Sequence, residues 1–198
     1  MVPKLPPSAL DLEAVAKKAI EDMPPATRFG PEDAAVIAEH REVLAGLKEA
    51  FVRGFYDTLF AHPPTAAVFK EGERPVREGT LAFFYDRVLE GPHDQAFLTW
   101  LAYVGPVHVV RGVSNPMMLA MVGYLVNFVA EHAHDLPQGP RLTAAFVRLG
   151  ATLGAIISYG YEAAWRKALE NVVGIPEALA QRAALEEAQR LFPLRGQA

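Results

Sequence analysis

Residues 103–116, YVGPVHVVRGVSNP, place one histidine among apolar residues, between a proline and a glycine. At helical spacing the neighbours of His108 are Val104, Val107 and Val109, so its ring is expected to face an apolar interior. One interpretation is a core histidine that donates to the carbonyl of Val104. The other is a histidine beside a large apolar cavity, offering its far nitrogen to a metal. The stretch alone favours the core histidine, so the rest of the chain has to decide.

The composition is that of a folded globular chain. Of its 198 residues, 51% are hydrophobic and 21% are charged, and the formal net charge is −4. This balance, with no block of Lys and Arg, argues against a nucleic-acid partner and a polybasic membrane patch. The chain contains no cysteine, which excludes disulfides, thiolate-ligated haem and cysteine-held zinc or iron–sulfur sites. A metal would need His, Asp, Glu, Met or Tyr as ligands.

Nothing in the sequence requires secretion or a membrane. The stretch MVPKLPPSALDLEAVAKK at the N-terminus lacks the apolar centre of a secretion signal. Residues 116–130 are apolar but too short to span a bilayer, and residues 142–161 contain Arg148 and several glycines. Both stretches are expected to be core helices, in a protein that works in the cytoplasm without a membrane partner.

Periodicity of 3.6 residues dominates the sequence, which predicts an almost wholly helical domain. Proline and glycine mark the joints. The division expected is an N-terminal tail with a short helix (1–30), a central domain (31–172) and a C-terminal amphipathic helix with its tail (173–198). Helices of this number and length fit an antiparallel bundle or a globin-like arrangement, and periodicity does not separate the two. Helices are expected over residues 8–22, 31–62 (one long helix or two), 75–90, 94–111, 116–132, 141–170 and 178–192.

The other five histidines are expected to be structural or solvated. His62 and His93 lie beside prolines in loops, and His40 lies among charged residues, so all three are predicted at the surface. His132 and His134 are two positions apart and therefore on different faces of a helix, which disfavours a shared metal. They are expected to stabilise the C-terminus of that helix.

Three motifs, in this order and at these intervals, resemble the sensor-type globins. This family comprises the globin domains of bacterial globin-coupled sensors and the free-standing protoglobins, and in layout the chain is most similar to a free-standing protoglobin. The resemblance covers roughly residues 30–170. The motifs are FYDTLF (55–60), GTLAFFYDRVLEG (79–91) and VGPVHVVRGV (104–113), with Phe55-Tyr56-Asp57, Gly91, Val104-Gly105, His108 and Gly112 at the family's positions.

The resemblance implies an all-α, globin-like fold with an extra N-terminal helix and a C-terminal amphipathic helix. It also implies haem b, with His108 as the proximal iron ligand. Tyr56 matches the distal tyrosine, whose hydroxyl would donate a hydrogen bond to the bound gas. Thr80 matches a distal threonine facing that gas. Each has a structural alternative: Tyr56 could simply pack at a helix end, and Thr80 could bond the carbonyl four residues earlier.

The resemblance also implies which side chains contact the porphyrin. Val76 stands at the position of the conventional distal histidine, so distal polarity has to come from Tyr56 and Thr80. Arg74 or Arg77 could meet a haem propionate, or could simply be solvated. The residues expected to line the cofactor are Phe55, Phe69, Val76, Leu81, Val104 and Met118.

The chain departs from the family pattern at two places. Pro106 lies inside the proximal helix, where it removes one backbone donor and leaves the carbonyl of Ala102 without its usual partner. A kink is therefore expected before His108, while the carbonyl of Val104 stays available to orient the ring. The family commonly has Trp-Tyr after the following proline, and this chain has Met117-Met118. Signalling through a proximal tyrosine at that position is therefore not expected.

The function implied is reversible binding of O2, CO or NO at haem iron, without a dedicated enzymatic activity; NO or nitrite redox chemistry would be secondary. No output domain is expected after the last globin helix, so a signal is expected to pass through a partner. Relatives pair through their last two long helices, which implies a homodimer; Gly150, Gly154 and Ala155 would permit close approach there, or equally within the monomer. The alternative function is a haem-free globin-fold interaction module. A hydrolase or transferase has no supporting motif.

Overall fold

The computed structural model describes residues 10–192, and in that range every regular element is helical. The all-α prediction is therefore confirmed. The helices are α1 Leu12–Asp22, α2 Pro31–Glu39, α3 Arg41–Gly46, α4 Lys48–Ala61, α5 Pro63–Ala66, α6 Arg74–Glu90, α7 Gln95–Arg111, α8 Asn115–Ala133, α9 Gly139–Ala168 and α10 Glu177–Leu191, with a 3-10 turn at Pro25–Thr27 and a π-helical segment at Leu169–Val173.

The helix ends follow from local side-chain chemistry. The side chain of Asp94 accepts from the backbone N–H of Phe97 at 3.0 Å and so begins α7. Gly112 ends the same helix with φ of +73°, in the left-handed region that favours glycine. Ser114 begins α8, as its N-cap residue. These joints position the segment that carries His108.

Residues 31–62, expected to form one long helix or two, form the three helices α2, α3 and α4. The breaks lie at His40 and Leu47, whose ψ angles of 7° and −5° depart from helical geometry. At the first break His40 is buried, with Nδ1 2.8 Å from the carbonyl oxygen of Val36 and Nε2 2.7 Å from that of Pro137. The surface position predicted for His40 is therefore wrong, because its ring joins α2 to the loop before α9.

His93 is likewise not a surface residue. Its ring is half-buried between Phe29 and Phe97, with Nε2 2.8 Å from the carbonyl oxygen of Val88. Burial lowers its pKa. His62, His132 and His134 are exposed. Over residues 10–192, no group of histidines and carboxylates is arranged to hold a metal ion.

Helix α9 forms the centre of the core and packs against α1, α2, α7 and α8. Its buried face includes Leu142, Phe146, Leu149, Leu153 and Ile156. The helix that continues to Val173 is long and apolar enough to cross a membrane by length and composition, but more than half of its most apolar part is buried inside the described protein. Its hydrophobicity is accounted for by its central position.

Two glycines of α9 serve packing within the chain. A Cβ atom at Gly150 would lie 2.8 Å from Val126 Cγ2, and one at Gly154 would lie 3.1 Å from Leu119 Cδ2. Both neighbours belong to α8, so the glycines let α8 approach α9 closely. The sequence left two roles open for these glycines, close approach between two copies of the chain or packing within one. The structure shows the packing within one chain.

The short helix α1 packs against α7 and α9, burying Leu12, Ala16 and Ala19. An ion pair between Asp33 of α2 and Arg148 of α9 joins the next helix to the same core. Helix α10, by contrast, has no buried residue. The division of the chain at residues 30 and 172 stays a prediction.

Candidate functional site

A cavity of 340 Å³ lies between α4, α6, α7, α8 and α9. Its wall is predominantly apolar, with few polar atoms exposed to the interior. Aromatic side chains from α4, α6 and α7 contribute much of it, including Phe84 and Trp100, which were not among the predicted site residues. The predicted site residues that the structure brings together around this cavity are Phe55, Tyr56, Phe69, Thr80, Leu81, Val104, His108 and Met118.

Val76 is the exception among the predicted residues. Its side chain is 64% exposed and does not line the cavity. Arg77, Thr80 and Leu81 lie on the inward face of α6, whereas Val76 lies at the solvent edge of that face. The expected contact between Val76 and the cofactor is therefore corrected: the residue stands at the right place in the sequence but outside the wall.

His108 is half-buried in the cavity wall, and one of its ring nitrogens has no partner among the described residues. Nδ1 is shielded from solvent, and no described residue hydrogen-bonds it. The expected bond to the carbonyl of Val104 is not formed. Burial, and secondarily the nearby Arg111 guanidinium, lowers the pKa of His108 to about 4, so the imidazole is neutral at pH 7. Because buried polar atoms are nearly always paired, a core histidine with its hydrogen bonds met does not describe this residue.

Close contact with α9 holds the helix that carries His108. Helix α7 continues through Pro106 as far as Arg111, without a break. A Cβ atom at Gly105 would lie 2.5 Å from the carbonyl oxygen of Ile157. A Cβ atom at Gly160 would lie 2.5 Å from the carbonyl oxygen of Ala102, the one that Pro106 deprives of its partner. Only hydrogen atoms at these two positions let the backbones approach so closely.

Tyr56 presents a protonated hydroxyl to the cavity from α4. The residue is 6% exposed, and burial raises its pKa to about 12. Its ring packs between Phe55 and Phe69, at centroid distances of 5.5 and 5.9 Å. Among the described residues, none accepts a hydrogen bond from the hydroxyl. The phenol is therefore held in place by packing, with its donor available.

The hydroxyl of Thr80 is already engaged. Its Oγ1 donates to the carbonyl oxygen of Val76 at 3.1 Å, within α6 itself. Thr80 contributes to the wall of the cavity, but the bond to the carbonyl four residues earlier is the structural alternative considered from the sequence. The two predicted distal donors thus differ: Tyr56 is free to donate and Thr80 is not.

Two arginines and a carboxylate lie at one side of the cavity. Arg111 binds both carboxylate oxygens of Glu73, at 2.8 and 2.9 Å, and Arg77 binds one of them at 2.9 Å. The hydrogen bonds from Arg111 lower the pKa of Glu73 to about 2. Both arginines line the cavity. Arg74 does not, because it pairs with Asp57 and Glu78 instead.

Sequence reasoning missed two residues near His108. Arg111 follows it by three positions on the same helix, so helical spacing was a signal that could have found it. Tyr161 lies on α9, and its ring centroid is 5.9 Å from that of His108. No spacing in the sequence links Tyr161 to His108, since only the crossing of α7 and α9 brings them together.

Comparison with known proteins agrees with this architecture. The model of the protoglobin family matches residues 17–164, a span that includes α2 to α8, the wall of the cavity and His108. A search of curated proteins finds no significant match. Since the family match covers most of the chain, the all-helical arrangement is a globin fold, and the chain belongs to the protoglobin family.

Proposed function

We propose that this protein would bind haem b through His108 and that the haem iron would reversibly bind a diatomic gas. Membership of the protoglobin family suggests a globin-type protein that binds haem and a gas. The observation that carries the proposal for this chain is the half-buried, neutral His108 imidazole in the wall of an apolar cavity.

The residues of the cavity fit a haem group. A volume of 340 Å³ is within the range of small-molecule sites, about 300–1,000 Å³. The apolar wall suits a porphyrin, and a neutral imidazole is the form of histidine that ligates iron. Arg77 and Arg111 would meet carboxylates at the cavity edge. When bound, the haem supplies an iron atom with a coordination position for O2, CO or NO.

The distal side chains would control how strongly the gas is bound and how far water is excluded from it. The protonated Tyr56 hydroxyl would donate a hydrogen bond to the bound gas, and a low-dielectric surrounding would strengthen that bond. Phe55, Phe69 and Leu81 exclude water from the same space. Thr80 donates only if it first gives up its bond to Val76. Tyr56 is therefore the distal donor in this proposal.

The biological role proposed is gas sensing in the cytoplasm, with NO or nitrite redox chemistry as a secondary activity. Protoglobin membership supports a binding role, since globins are generally not enzymes. We further propose a homodimer through α8 and α9. The support is that Leu119 of α8 and Val147 of α9 are large apolar side chains left exposed.

The test is the visible absorption spectrum of the purified protein after addition of hemin, reduction with dithionite and exposure to CO. We expect a sharp Soret band that shifts with CO in the wild type, and its loss or alteration in His108→Ala. His132→Ala is the matched control, because His132 is an exposed histidine and should leave the spectrum unchanged. If His108→Ala gives the wild-type spectrum, the haem function fails and a haem-free interaction module becomes the better description.

A further inference from the structure

The segment that carries His108 is held at both ends by two adjacent residues of α9. Before His108, a Cβ atom at Gly105 would lie only 2.7 Å from the backbone nitrogen of Tyr161 and from the carbonyl carbon of Gly160. After His108, the hydroxyl of Tyr161 donates to the carbonyl oxygen of Val113 at 2.8 Å. One tyrosine of α9 thus contacts the segment on both sides of the histidine.

The second of these contacts continues to the backbone of His108. The N–H of Val113 donates to the carbonyl oxygen of His108 at 3.0 Å, closing the last turn of α7 around Gly112. The peptide groups of Val113 therefore connect the Tyr161 hydroxyl to His108 through two hydrogen bonds. Tyr161 is 5% exposed, so water does not compete for its bond.

The ring of Tyr161 also packs against the imidazole itself. The two ring centroids are 5.9 Å apart, with an angle of 56° between the planes. A metal-binding histidine is usually oriented by a hydrogen bond from its second ring nitrogen to an acceptor. Nδ1 of His108 has no such acceptor in the described part of the chain. Packing has to orient the ring instead.

We propose that Tyr161 is the positioning residue of His108: its ring sets the orientation of the imidazole, and its hydroxyl fixes the end of α7 through Val113. This role rests on the proposed function, in which His108 is the iron ligand. Because Tyr161 lies on α9, the same contacts join the ligand position to the helix that leads towards the C-terminal part of the chain. Met118 packs close by but provides no hydroxyl.

Three variants separate the contribution of the Tyr161 ring from that of its hydroxyl. Tyr161→Leu removes the ring and the hydroxyl, whereas Tyr161→Phe removes only the hydroxyl bond to Val113. Tyr159→Phe is the matched control on the same helix, because it removes a tyrosine hydroxyl that donates to Asp22, remote from His108. Two readouts are needed: histidine ring signals in the haem-free protein by long-range ¹H–¹⁵N NMR at pH 8, and the iron–histidine stretching band of the hemin-loaded, reduced protein by resonance Raman spectroscopy.

We expect one set of His108 ring signals in the wild type and two exchanging sets in Tyr161→Leu. The iron–histidine band should split or broaden in Tyr161→Leu and shift in Tyr161→Phe, and Tyr159→Phe should leave it unchanged. If Tyr161→Leu does not fold, the positioning role is tested by Tyr161→Phe alone. Its iron–histidine band should then shift relative to that of Tyr159→Phe.

Unchanged ring signals and an unchanged band in both Tyr161 variants overturn the positioning role. That result differs from failure of the proposed function, in which the wild type takes up no hemin at His108. In that case the ring signals of the haem-free protein still decide whether Tyr161 orients the imidazole, because they need no haem.

Discussion

The two sides of the cavity are built in different ways. On the side of His108, backbone meets backbone at Gly105 and Gly160, and the Tyr161 hydroxyl completes the contact. On the side of Tyr56, side chains pack against one another and ion pairs at the edge join α6 to α7. Where backbone contacts backbone, neither helix can shift without separating from the other, whereas packed side chains can adjust by rotating. The first side is therefore suited to holding a ligand atom still, and the second to admitting and recognising a small molecule.

The largest effect on stability is expected when a methyl group is placed in the close contact between α7 and α9, on the His108 side of the cavity. In Gly160→Ala the new methyl would lie 2.5 Å from the carbonyl oxygen of Ala102, so α7 and α9 have to move apart. Overpacking of this kind costs about 1–3 kcal/mol in the free energy of unfolding. Urea denaturation measures it.

Gly123→Ala is the control, because nothing lies within 4 Å of a Cβ atom at that position of α8. A glycine replaced by alanine inside a helix is expected to stabilise by about 0.5–1 kcal/mol. If both variants are stabilised alike, the backbone contact between α7 and α9 is not tight, and the contrast between the two sides of the cavity is lost.

A smaller effect is expected from removing the donor on the Tyr56 side. Tyr56→Phe should speed O2 dissociation from the hemin-loaded, reduced protein by about 5- to 10-fold, since one hydrogen bond is worth about 1 kcal/mol. Stopped-flow mixing with CO measures that rate.

Thr80→Val serves as the comparison, and it should change the rate little because the Thr80 hydroxyl bonds the carbonyl of Val76. A larger effect from Thr80→Val than from Tyr56→Phe would reverse the assignment of the distal donor.

The smallest effect on stability is expected when the ion pairs of Glu73 at the cavity edge are removed. Folding lowers the pKa of Glu73 from 4.5 to about 2, so the carboxylate contributes stability above pH 4.5 and loses that contribution as the pH falls towards 2. Glu73→Gln should be slightly less stable than the wild type at pH 7. The difference should shrink across that pH window, as measured by thermal unfolding in low salt.

The charges at this edge are partly solvated, so salt should weaken the effect further. If the difference in stability between Glu73→Gln and the wild type stays constant from pH 7 to pH 2, the pairing of Glu73 with Arg111 is contradicted.

Residue types and their spacing were enough to predict the helices, and the family resemblance supplied part of the cavity wall, including His108 and Tyr56. Proline and glycine gave correct joints because their backbone preferences are local, as at Pro31 and Gly112. The breaks at His40 and Leu47 were not predicted, since the carbonyl that His40 reaches belongs to Pro137, far along the chain. Val76 was misplaced for a geometric reason: it shares a helical face with Thr80, but it lies in the first turn of α6, where its side chain is exposed and outside the wall.

The sequence by itself determined the all-helical class and the resemblance to protoglobins, and it predicted His108 and Tyr56 as central residues of the site. These follow from periodicity and from short motifs, which depend on neighbouring residues. Only the tertiary structure decided that Nδ1 of His108 lacks an acceptor, that Thr80 is engaged, and that Tyr161 packs against the imidazole. Those facts depend on where α6, α7 and α9 lie relative to one another, and that arrangement is set by burial of the whole core rather than by any local pattern.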